Sequence, residues 1–503
     1  MAEQNDHNVN VLESYKLDVK GMQVYVRIYN ADDEFTPIYE VTYPGIGDAT
    51  KLLLMSLRPD LMALVPMDPN RLNEPEYLDE MTSKYMQTSG MLIDRYLPQT
   101  TTDVKKLLIS YIMNMMIGLG DLEVPLADDN LEEVAVNNAS EYMWVFHKKY
   151  SWCMTNIKVQ NEEYIYNKAD QIGRAVGREI NNLVPLMDAE LADGSRVNAT
   201  LYPVSQKGNT ITIRKFAKNP WTMPALIRNG TIDPYMAGLI WTCIENEVSL
   251  LISGGTASGK TSFLNAMSIF FPPTRRIISV EETRELTLPD FFQWIPMLSR
   301  MPNPEGKGEI TLYNLMINAL RQRPDIVLVG EVRVEKDAET MFEAIHTGHA
   351  VYGTVHADNA ADTIVRMTNP PIAIPKILMN ALGSVVVQFR HRAKGIRRTL
   401  EFAEVLRSGD VNVNYRWNIR TDSFSQVSEL THLAETISLY GGLGKTEIAS
   451  DVEMKVKMLK WMVDNGVIAV NEAGMVVSNY YKNKAKMIQI VEDNVKFSPD
   501  LFK

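Results

Sequence analysis

The sequence predicts an α/β fold, with a mixed N-terminal part and a parallel sheet in the second half. Its 503 residues correspond to about three domains, at roughly 150 residues per domain. Hydrophobic residues make up 45% and charged residues 22% of the chain, values that exclude a largely disordered or fibrous protein. The second half contains short runs of apolar, β-branched residues, which is the pattern of buried parallel strands. The runs are Val248–Ser253, Ile277–Val280, Ile326–Val329 and Val351–Val355.

The first 216 residues are predicted to form two segments. Residues 1–120 form a mixed extension, with strand candidates followed by helical periodicity. Residues 121–216 form an α+β domain, with short strands around one helix at Tyr164–Asn182. The strand candidates are Met22–Tyr29, Tyr39–Tyr43, Glu133–Val136, Tyr142–His147, Ser195–Leu201 and Thr210–Lys215, and the helical segments of the extension are Lys51–Leu64, Leu78–Thr88 and Val104–Leu119.

A linker is predicted at residues 217–224, where Pro220 and Pro224 discourage a continuous helix or strand. Residues 225–503 then carry the parallel sheet. The tail of this part, beyond about Arg390, has the pattern of strands followed by helices.

Charge, cysteine content and hydropathy limit the function classes. The net charge of −11, from 51 Lys plus Arg against 62 Asp plus Glu, is a poor match to a nucleic-acid backbone. The two cysteines, Cys153 and Cys243, are too few for a disulfide framework or a cysteine zinc site and fit a reducing cytoplasm. Met1–Glu13 lacks the features of a secretory signal, and Leu107–Leu119 is shorter than the roughly 20 residues of a membrane helix. We therefore expect a cytoplasmic chain without a transmembrane span.

A phosphate-binding loop is the strongest motif in the chain. It follows the first buried strand and precedes a helical stretch, which is the context that this motif requires. Its glycines let backbone N–H groups surround phosphates, Lys260 reaches the outer phosphates, and Thr261 offers a hydroxyl to Mg2+. The predicted nucleotide-binding residues are Gly254, Gly255, Thr256, Ala257, Ser258, Gly259, Lys260, Thr261 and Ser262.

Polar residues follow the three later strands, where parallel strands bring ligands together. Glu281 and Glu282 follow the second run, Gly330 and Glu331 the third, and His356 the fourth. A carboxylate there can orient or deprotonate an attacking water, and a neutral histidine can donate to the γ-phosphate.

The third run resembles a Walker B strand, with Gly330 where an Asp usually holds the metal. Mg2+ would then rest on Thr261, phosphate oxygens and water. Glu331 would act on the metal through a water, or as the general base, and the sequence leaves the identity of the base open.

Two further patterns receive weaker interpretations. His346, His349 and His356 with Asp358 permit a zinc site, which is disfavoured because His356 belongs to the phosphate crevice and no thiol is near. Asn167–Asp170 matches the guanine-reading NKxD pattern, but it precedes the phosphate-binding loop instead of following it. We interpret this match as chance.

The chain resembles the type II/IV secretion ATPase superfamily, in its archaeal branch, from about Leu131 to Phe402. The phosphate-binding loop is one of four boxes in the expected order. The other boxes and the arginine-bearing motifs of the family's N-terminal domain are Val280–Leu286 (the Asp box), Arg323–Arg333 (Walker B), Thr347–Ala357 (the His box), Asp193–Asn198 and Thr212–Phe216.

The resemblance implies a RecA-like ATPase core joined to a PAS-like N-terminal domain, in a hexameric ring with ATP and Mg2+ between the domains. It implies that Arg196 and Arg214 approach the phosphates, as a guanidinium suits, and that His349 and His356 of the His box are catalytic. Glu282 stands where the family usually has Asp, which leaves Glu281, Glu282 and Glu285 as alternatives for the residue that approaches water or metal.

Within the family, the long extension and the Glu-rich Asp box look most like the motor ATPase of the archaellum, the archaeal motility filament. That likeness implies a polytopic membrane platform protein and other motor-complex proteins as partners, and a position at the inner face of the membrane. An ATPase for adhesive pili or type II secretion shares every box. A DNA-translocating motor is an alternative of another class, disfavoured by the acidic charge and the lack of a basic-aromatic tract. A non-catalytic nucleotide switch or scaffold is a third, in which Gly330 of the Walker B strand indicates a weakened site, and measurable multi-turnover hydrolysis would exclude it.

Overall fold

A computed structural model describes residues 9–44, 46–66, 75–116, 118–191, 193–216, 219–302, 306–391 and 394–502. The chain divides into two compact units, Met1–Ala217 and Lys218–Lys503. The first two residues of the predicted linker 217–224 lie outside the described residues. Each unit is built on its own nine-stranded sheet, counted over the residues that the structure describes.

The sheet of the first unit has alternating burial along its strands, as in a sheet with one face on the core. Along the second strand, for example, Met22, Val24, Val26 and Ile28 are buried and the residues between them are exposed. The strands are β1 (Asn10–Val19), β2 (Met22–Asn30), β3 (Ile38–Thr42), β4 (Leu131–Val136), β5 (Trp144–His147), β6 (Ser151–Thr155), β7 (Leu186–Glu190), β8 (Arg196–Thr200) and β9 (Thr210–Arg214).

The strands of the extension continue the sheet of the following domain. The order is β1-β2-β3-β6-β5-β4-β9-β8-β7, and β3 joins β6 through the parallel pair Ile38 and Met154. The hydroxyls of Tyr15 and Tyr39 both donate to Oδ2 of Asp128. Strand pairing and a shared hydrophobic cluster join residues of the predicted segments 1–120 and 121–216 within one compact unit.

Two predicted helices of this unit have different bounds from those expected. The segment 51–64 is broken at Leu57, where Pro59 enters the first turn of a second helix. The helix expected to reach Asn182 ends at Ala175, because Gly177 adopts a φ of 67° and Arg178 N–H donates to Gly173 O at 2.7 Å. The helices are α1 (Asp48–Ser56), α2 (Arg58–Leu64), α3 (Pro75–Tyr96), α4 (Thr102–Met116), α5 (Glu123–Ala127) and α6 (Glu162–Ala175).

Length and apolar composition decide whether a helix can cross a membrane, and both are known for the part of the chain that the structure describes. No single helix there has the length and apolar composition to cross a membrane. Helix α4 passes that test only together with the segment Gly120–Ala127, from which it is bent by 112°.

The second unit contains the predicted parallel sheet. All four predicted strands are confirmed, and their residues are buried throughout because helices cover both faces. The strands are β10 (Leu250–Gly254), β11 (Ile277–Glu281), β12 (Trp294–Leu298), β13 (Ile326–Val329), β14 (Ala350–Val355), β15 (Ser384–His391), β16 (Ile396–Val405), β17 (Val411–Asn418) and β18 (Ser423–Gln426).

The strand order of this sheet is β12-β11-β13-β14-β10-β15-β16-β17-β18. The first six strands are parallel, and the last three add to them in antiparallel fashion. The predicted α/β fold class is confirmed: a sheet with six parallel strands carries the phosphate-binding loop, and a unit of strands and helices precedes it in the chain. The helices of the second unit are α7 (Met223–Arg228), α8 (Pro234–Glu245), α9 (Lys260–Ser268), α10 (Leu312–Leu320), α11 (Glu335–His346), α12 (Ala360–Thr368), α13 (His432–Gly441), α14 (Lys445–Asp464), α15 (Val470–Lys482) and α16 (Lys484–Glu492).

Two hydrophobic clusters fix the central strand β10 from both sides. Leu250 and Ile252 pack in the cluster that contains Trp241 of α8 and Phe263 of α9. Leu251 packs in the opposite cluster, with residues of β13, β14 and α11. The end of β10, where the phosphate-binding loop begins, is thus held by the core of the unit.

Candidate active site

The phosphate-binding loop joins β10 to α9 through backbone conformations that favour glycine. Gly254 has a φ of 153°, and a Cβ added there would collide with Gln388 O and Ser258 Oγ. Gly259 has a φ of 95° and is the N-cap of α9. The first N–H groups of α9 have no partner within the helix and, with its dipole, favour an anion at this point.

Lys260 lies over the mouth of this loop. Its Nζ donates to Gly254 O at 3.0 Å and to Gly255 O at 3.1 Å, and it lies 3.4 Å from Nδ1 of His356. Burial lowers the pKa of Lys260, and the nearby carboxylates of Glu331 and Glu285 oppose that shift. The ammonium is therefore held at the point where phosphate oxygens would replace the loop carbonyls.

The loop also offers polar groups that fit a magnesium nucleotide. Ser258 Oγ is buried without a hydrogen-bond partner among the described residues, so an acceptor or donor from a ligand would satisfy it. Thr261 is the second residue of α9 and is partly exposed, while Thr256 and Ser262 are exposed. Thr261 is the loop hydroxyl that would hold Mg2+.

The carboxyl ends of β11, β13, β14 and β10 lie side by side, as the sequence predicts. Val280 pairs in register with Val329, Val329 with Gly353, and Ser253 with Val355. The hydroxyl of Thr354 donates to Gly330 O at 2.5 Å and joins the ends of β14 and β13. Glu281, Glu331, His356 and Lys260 are consequently all placed at one edge of the sheet.

Glu281 is buried at the end of β11 and holds the turn that follows. Its Oε1 accepts hydrogen bonds from Glu285 N at 2.9 Å and Leu286 N at 3.1 Å. Its Oε2 is buried without a partner among the described residues. Burial raises the pKa of this carboxyl to about 7, against which the two backbone hydrogen bonds act. Glu281 therefore positions Glu285 and can change its protonation state near neutral pH.

Arg333 links the Asp box to the Walker B strand. Its NH1 lies 2.5 Å from Glu282 Oε2, and its NH2 lies 2.6 Å from Glu331 Oε2. Sequence reasoning assigned no role to this arginine, although its position two residues after Glu331 placed it in the box. One guanidinium therefore bridges two of the candidate carboxylates.

The two histidines of the His box lie at opposite ends of β14. His356 follows the strand at the phosphate end, whereas His349 precedes it by seven residue steps, about 23 Å away at roughly 3.3 Å per strand residue. His349 Nδ1 lies 3.0 Å from Ala344 O and 3.1 Å from Thr347 Oγ1. Within this unit His349 does not reach the phosphate-binding loop.

The same separation bears on the zinc interpretation. His346, at the end of α11, lies with His349 at one end of β14, and His356 and Asp358 lie beyond the other end. In the described ranges, no group of three or more His, Cys, Asp and Glu side chains is arranged to hold a metal ion.

Arg196 and Arg214 are neighbours on the sheet of the first unit. They are register partners in the antiparallel pair of β8 and β9, which places both side chains on the same face. Arg196 forks onto Asp188, and Arg214 has Glu133 as its register partner on β4. The structure thus brings the two arginines together within their unit, and their approach to a nucleotide stays a prediction.

Two further residues lie near the loop: Arg397, which belongs to no motif, and Asp358, which the sequence offered only as a possible zinc ligand. Arg397 of β16 donates from Nε to Ala257 O at 3.2 Å. Asp358 Oδ1 lies 2.9 Å from the position that a Cβ on Gly255 would take. Only the order of strands reveals Arg397, because β15 lies beside β10 and β16 beside β15.

Glu281 predicts how the stability of the second unit changes with pH. Burial raises its pKa from 4.5 to about 7, so the folded state binds the proton more tightly than the unfolded state. The contribution of Glu281 to the free energy of unfolding is complete below the pKa of the unfolded state. It declines as the pH rises through the pKa of the folded state, by about 2–3 kcal/mol between about pH 5 and pH 8. Glu281→Gln, whose Oε1 still accepts both backbone hydrogen bonds, should remove this decline in the free energy of unfolding measured with urea.

Glu453→Gln, on an exposed position of α14, is the matched control and should keep the wild-type pH dependence. Parallel pH profiles for wild type and Glu281→Gln would contradict the assignment of the shift to Glu281.

Comparisons with known proteins place the chain in a family. The family described as "Type II/IV secretion system protein" matches residues 122–393. An uncharacterized protein of Methanocaldococcus jannaschii is 37% identical over 352 residues, which cover 69% of this chain and 46% of that relative. The chain thus spans about half the length of this relative.

Two further proteins are similar to the chain. A putative conjugal transfer protein of Mycobacterium tuberculosis is 32% identical over 259 residues, covering 50% of this chain and 72% of the relative. The crystal structure of the VirB11 ATPase from the Brucella suis type IV secretion system is 21% identical and covers 57% of this chain and 96% of that chain, with a TM-score of 0.29. A likeness at that score supports no conclusion about this protein. The family match, which spans more than half of the chain, confirms the resemblance of the four boxes: the chain belongs to the type II/IV secretion system protein family, in its archaeal branch.

Proposed function

We propose that this chain is an ATP-hydrolysing motor that acts as a homohexameric ring and powers the assembly, with or without rotation, of an archaellum. The observation that carries the hydrolytic part is the position of Lys260, which lies over a glycine-lined loop beside His356. The carboxylates of Glu281 and Glu331 end two neighbouring strands at the same edge of the sheet. This set of groups suits the binding and in-line hydrolysis of a nucleoside triphosphate.

In this proposal Lys260 exchanges its two carbonyl acceptors for oxygens of the outer phosphates. Bound Mg2+ neutralises phosphate charge, and the Thr261 hydroxyl is the loop group that would hold it. His356, which lies 3.4 Å from Lys260 Nζ, donates to the γ-phosphate when neutral.

Glu331 is the carboxylate that we assign to the attacking water. Arg333 engages Oε2 of Glu331 through both Nε and NH2, at 2.9 and 2.6 Å, and among the described residues no bond occupies Oε1, where a water would bind. Arg333 fixes the direction of that oxygen, as a planar guanidinium does. Glu281 acts one step away, because it holds the backbone of the turn that carries Glu282 and Glu285.

The motor part of the proposal depends on the arginine pair of the first unit. Arg196 and Arg214 share one face of β8 and β9, so two guanidinium groups can meet one phosphate group. ATP would hold the two units together through these arginines, and hydrolysis would release them. A polytopic membrane platform protein, with other proteins of the motor complex, would receive the motion at the inner face of the cell membrane.

The choice of the archaellum depends on the extension and the Glu-rich Asp box. An ATPase for adhesive pili or type II secretion would use the same catalytic residues. The similarity to a putative conjugal transfer protein favours a DNA-translocating motor as a second candidate, and the net charge of −11 argues against direct contact with nucleic acid. DNA-stimulated hydrolysis with a steep salt dependence would favour that candidate.

Lys260→Ala should abolish ATP turnover, with a loss of at least about 100-fold, because the charge on the outer phosphates is no longer compensated. Phosphate release by the purified chain at saturating ATP measures it. Lys457→Ala, on an exposed position of α14, is the control and should keep the wild-type rate. An undiminished rate for Lys260→Ala would exclude this loop as the hydrolytic site.

Arg196→Ala and Arg214→Ala should each reduce turnover about tenfold or more while nucleotide still binds, since the loop itself is intact. Turnover and the equilibrium binding of ADP are measured on the same preparations. Arg407→Ala removes an exposed arginine that pairs with Glu435 and serves as control. Wild-type turnover in both variants would remove the two arginines from the mechanism.

Deletion of the gene in its host separates the filament assignments. If the chain drives an archaellum, swimming is lost and adhesive pili remain, because only one filament depends on this motor. Swimming in soft agar and surface pili by electron microscopy are scored separately. Loss of pili with normal swimming would defeat the archaellum assignment, and a plasmid carrying Lys260→Ala should fail to restore motility.

A further inference from the structure

The hairpin of β15 and β16 extends beyond the end of β10. The parallel register of β10 and β15 reaches Gly254 opposite Gln388, and β15 continues to His391. Strand β16 returns antiparallel, with Arg397 opposite Arg390. This topology places the start of β16 against the phosphate-binding loop.

Arg397 contacts the loop at two points. Its Nε donates to Ala257 O at 3.2 Å. Its Cδ lies 3.6 Å from the position of a Cβ added to Gly259. The side chain therefore lies along the outside of the loop, from Gly259 to Ala257.

Ala257 needs such support because its backbone is strained. Its φ is 59°, in the left-handed region that alanine rarely adopts. A carbonyl that accepts a hydrogen bond from a guanidinium is also restrained from turning towards a phosphate, whose oxygens it would repel. The contact thus favours the loop conformation in which N–H groups face the anion.

The hairpin is itself anchored next to Arg397. Arg398 forks onto Asp422, with Nε 2.8 Å from Oδ1 and NH2 2.9 Å from Oδ2. Thr399 N donates to Thr231 O at 2.7 Å, in the connection between α7 and α8. Because neighbouring side chains of a strand point to opposite faces, Arg398 fixes the strand while Arg397 contacts the loop.

We propose that Arg397 is a positioning residue for the phosphate-binding loop: its guanidinium holds the Ala257 carbonyl and keeps the loop in the conformation that binds nucleotide phosphates. This role rests on the proposed function, in that it takes a nucleotide as the ligand of the loop. Arg397 acts through the loop backbone and not on the γ-phosphate. Its effect is therefore the same for ATP and ADP.

The test is the equilibrium binding of ADP and of a non-hydrolysable ATP analogue, with Mg2+, by isothermal titration calorimetry. Arg397→Ala should raise both Kd values by about tenfold, the expected effect of losing a hydrogen bond from a charged donor. KM for ATP should rise by a similar factor, with kcat within about twofold of wild type, because binding alone is weakened. Arg397→Lys, which keeps a charged donor, should restore most of the affinity.

Lys394→Ala is the matched control, because it removes one positive charge from an exposed position of the same hairpin. It should leave both Kd values unchanged. An equal loss for Lys394→Ala and Arg397→Ala would mean that the hairpin acts only through its charge, and would overturn the proposal.

Two other results would also overturn it. Wild-type affinity in Arg397→Ala would show that the loop needs no such support, and a loss confined to the ATP analogue would assign Arg397 to direct contact with the γ-phosphate. Binding is measured without turnover, so the two proposals fail separately. A wild-type chain that binds nucleotide without hydrolysing it contradicts the motor alone, whereas normal binding by Arg397→Ala in a hydrolysing chain contradicts the positioning role alone.

A double-mutant cycle tests the anchor. Arg398→Ala should weaken nucleotide binding in the wild-type background, because the strand that carries Arg397 is released. In the Arg397→Ala background it should cause no further loss. Additive losses would show that Arg398 acts independently of Arg397 and would overturn the anchoring role.

Discussion

The second unit depends on how closely its backbone approaches itself at Gly254. Strand β10 ends there against Gln388 O and Ser258 Oγ, which leave no room for a side chain. Because β10 is fixed by hydrophobic clusters on both faces, the turn cannot relax by moving the strand. The phosphate-binding loop begins at this close approach. Lys260 then lies over the loop carbonyls of Gly254 and Gly255. The N-terminus of α9, which follows the loop, faces the space where phosphates would bind.

The candidate site combines acidic and basic side chains, although the chain as a whole has a net charge of −11. Four glutamates of the candidate site lie near the ends of two strands, and three cationic side chains lie around the phosphate-binding loop and these strand ends. Lys260 comes from the loop, Arg333 from the segment after β13, and Arg397 from the β15–β16 hairpin. A triphosphate that binds in this site would replace existing hydrogen bonds, such as those from Lys260 to the loop carbonyls. Its affinity would therefore depend on the difference between the new hydrogen bonds and the ones that they replace.

Sequence reasoning found the features that depend on local pattern. The strands β10, β11, β13 and β14 were predictable because burial on both faces makes them continuous apolar runs, and the loop because its glycines and Lys260 have a fixed spacing. Strand β6 (Ser151–Thr155) has only three apolar residues between two polar ones, and none of the three is β-branched, so it carries no such run. The contact of Arg397 with Ala257 joins residues far apart in the chain, so no window of sequence could show it. The position of His349 could have been read from spacing, since six strand residues separate it from His356.

The pairing of β3 with β6 has a consequence for any shortened form of the protein. A chain cut at residue 120 would lose β1, β2 and β3 and leave β6 as a bare edge of the sheet. Edge strands with free backbone N–H and C=O groups recruit other strands, and the buried side chains beneath the extension would be uncovered as well. Truncation at this point would then produce aggregation by strand addition rather than a stable shortened chain. For expression and crystallisation, the extension is part of the folding unit and not a removable leader.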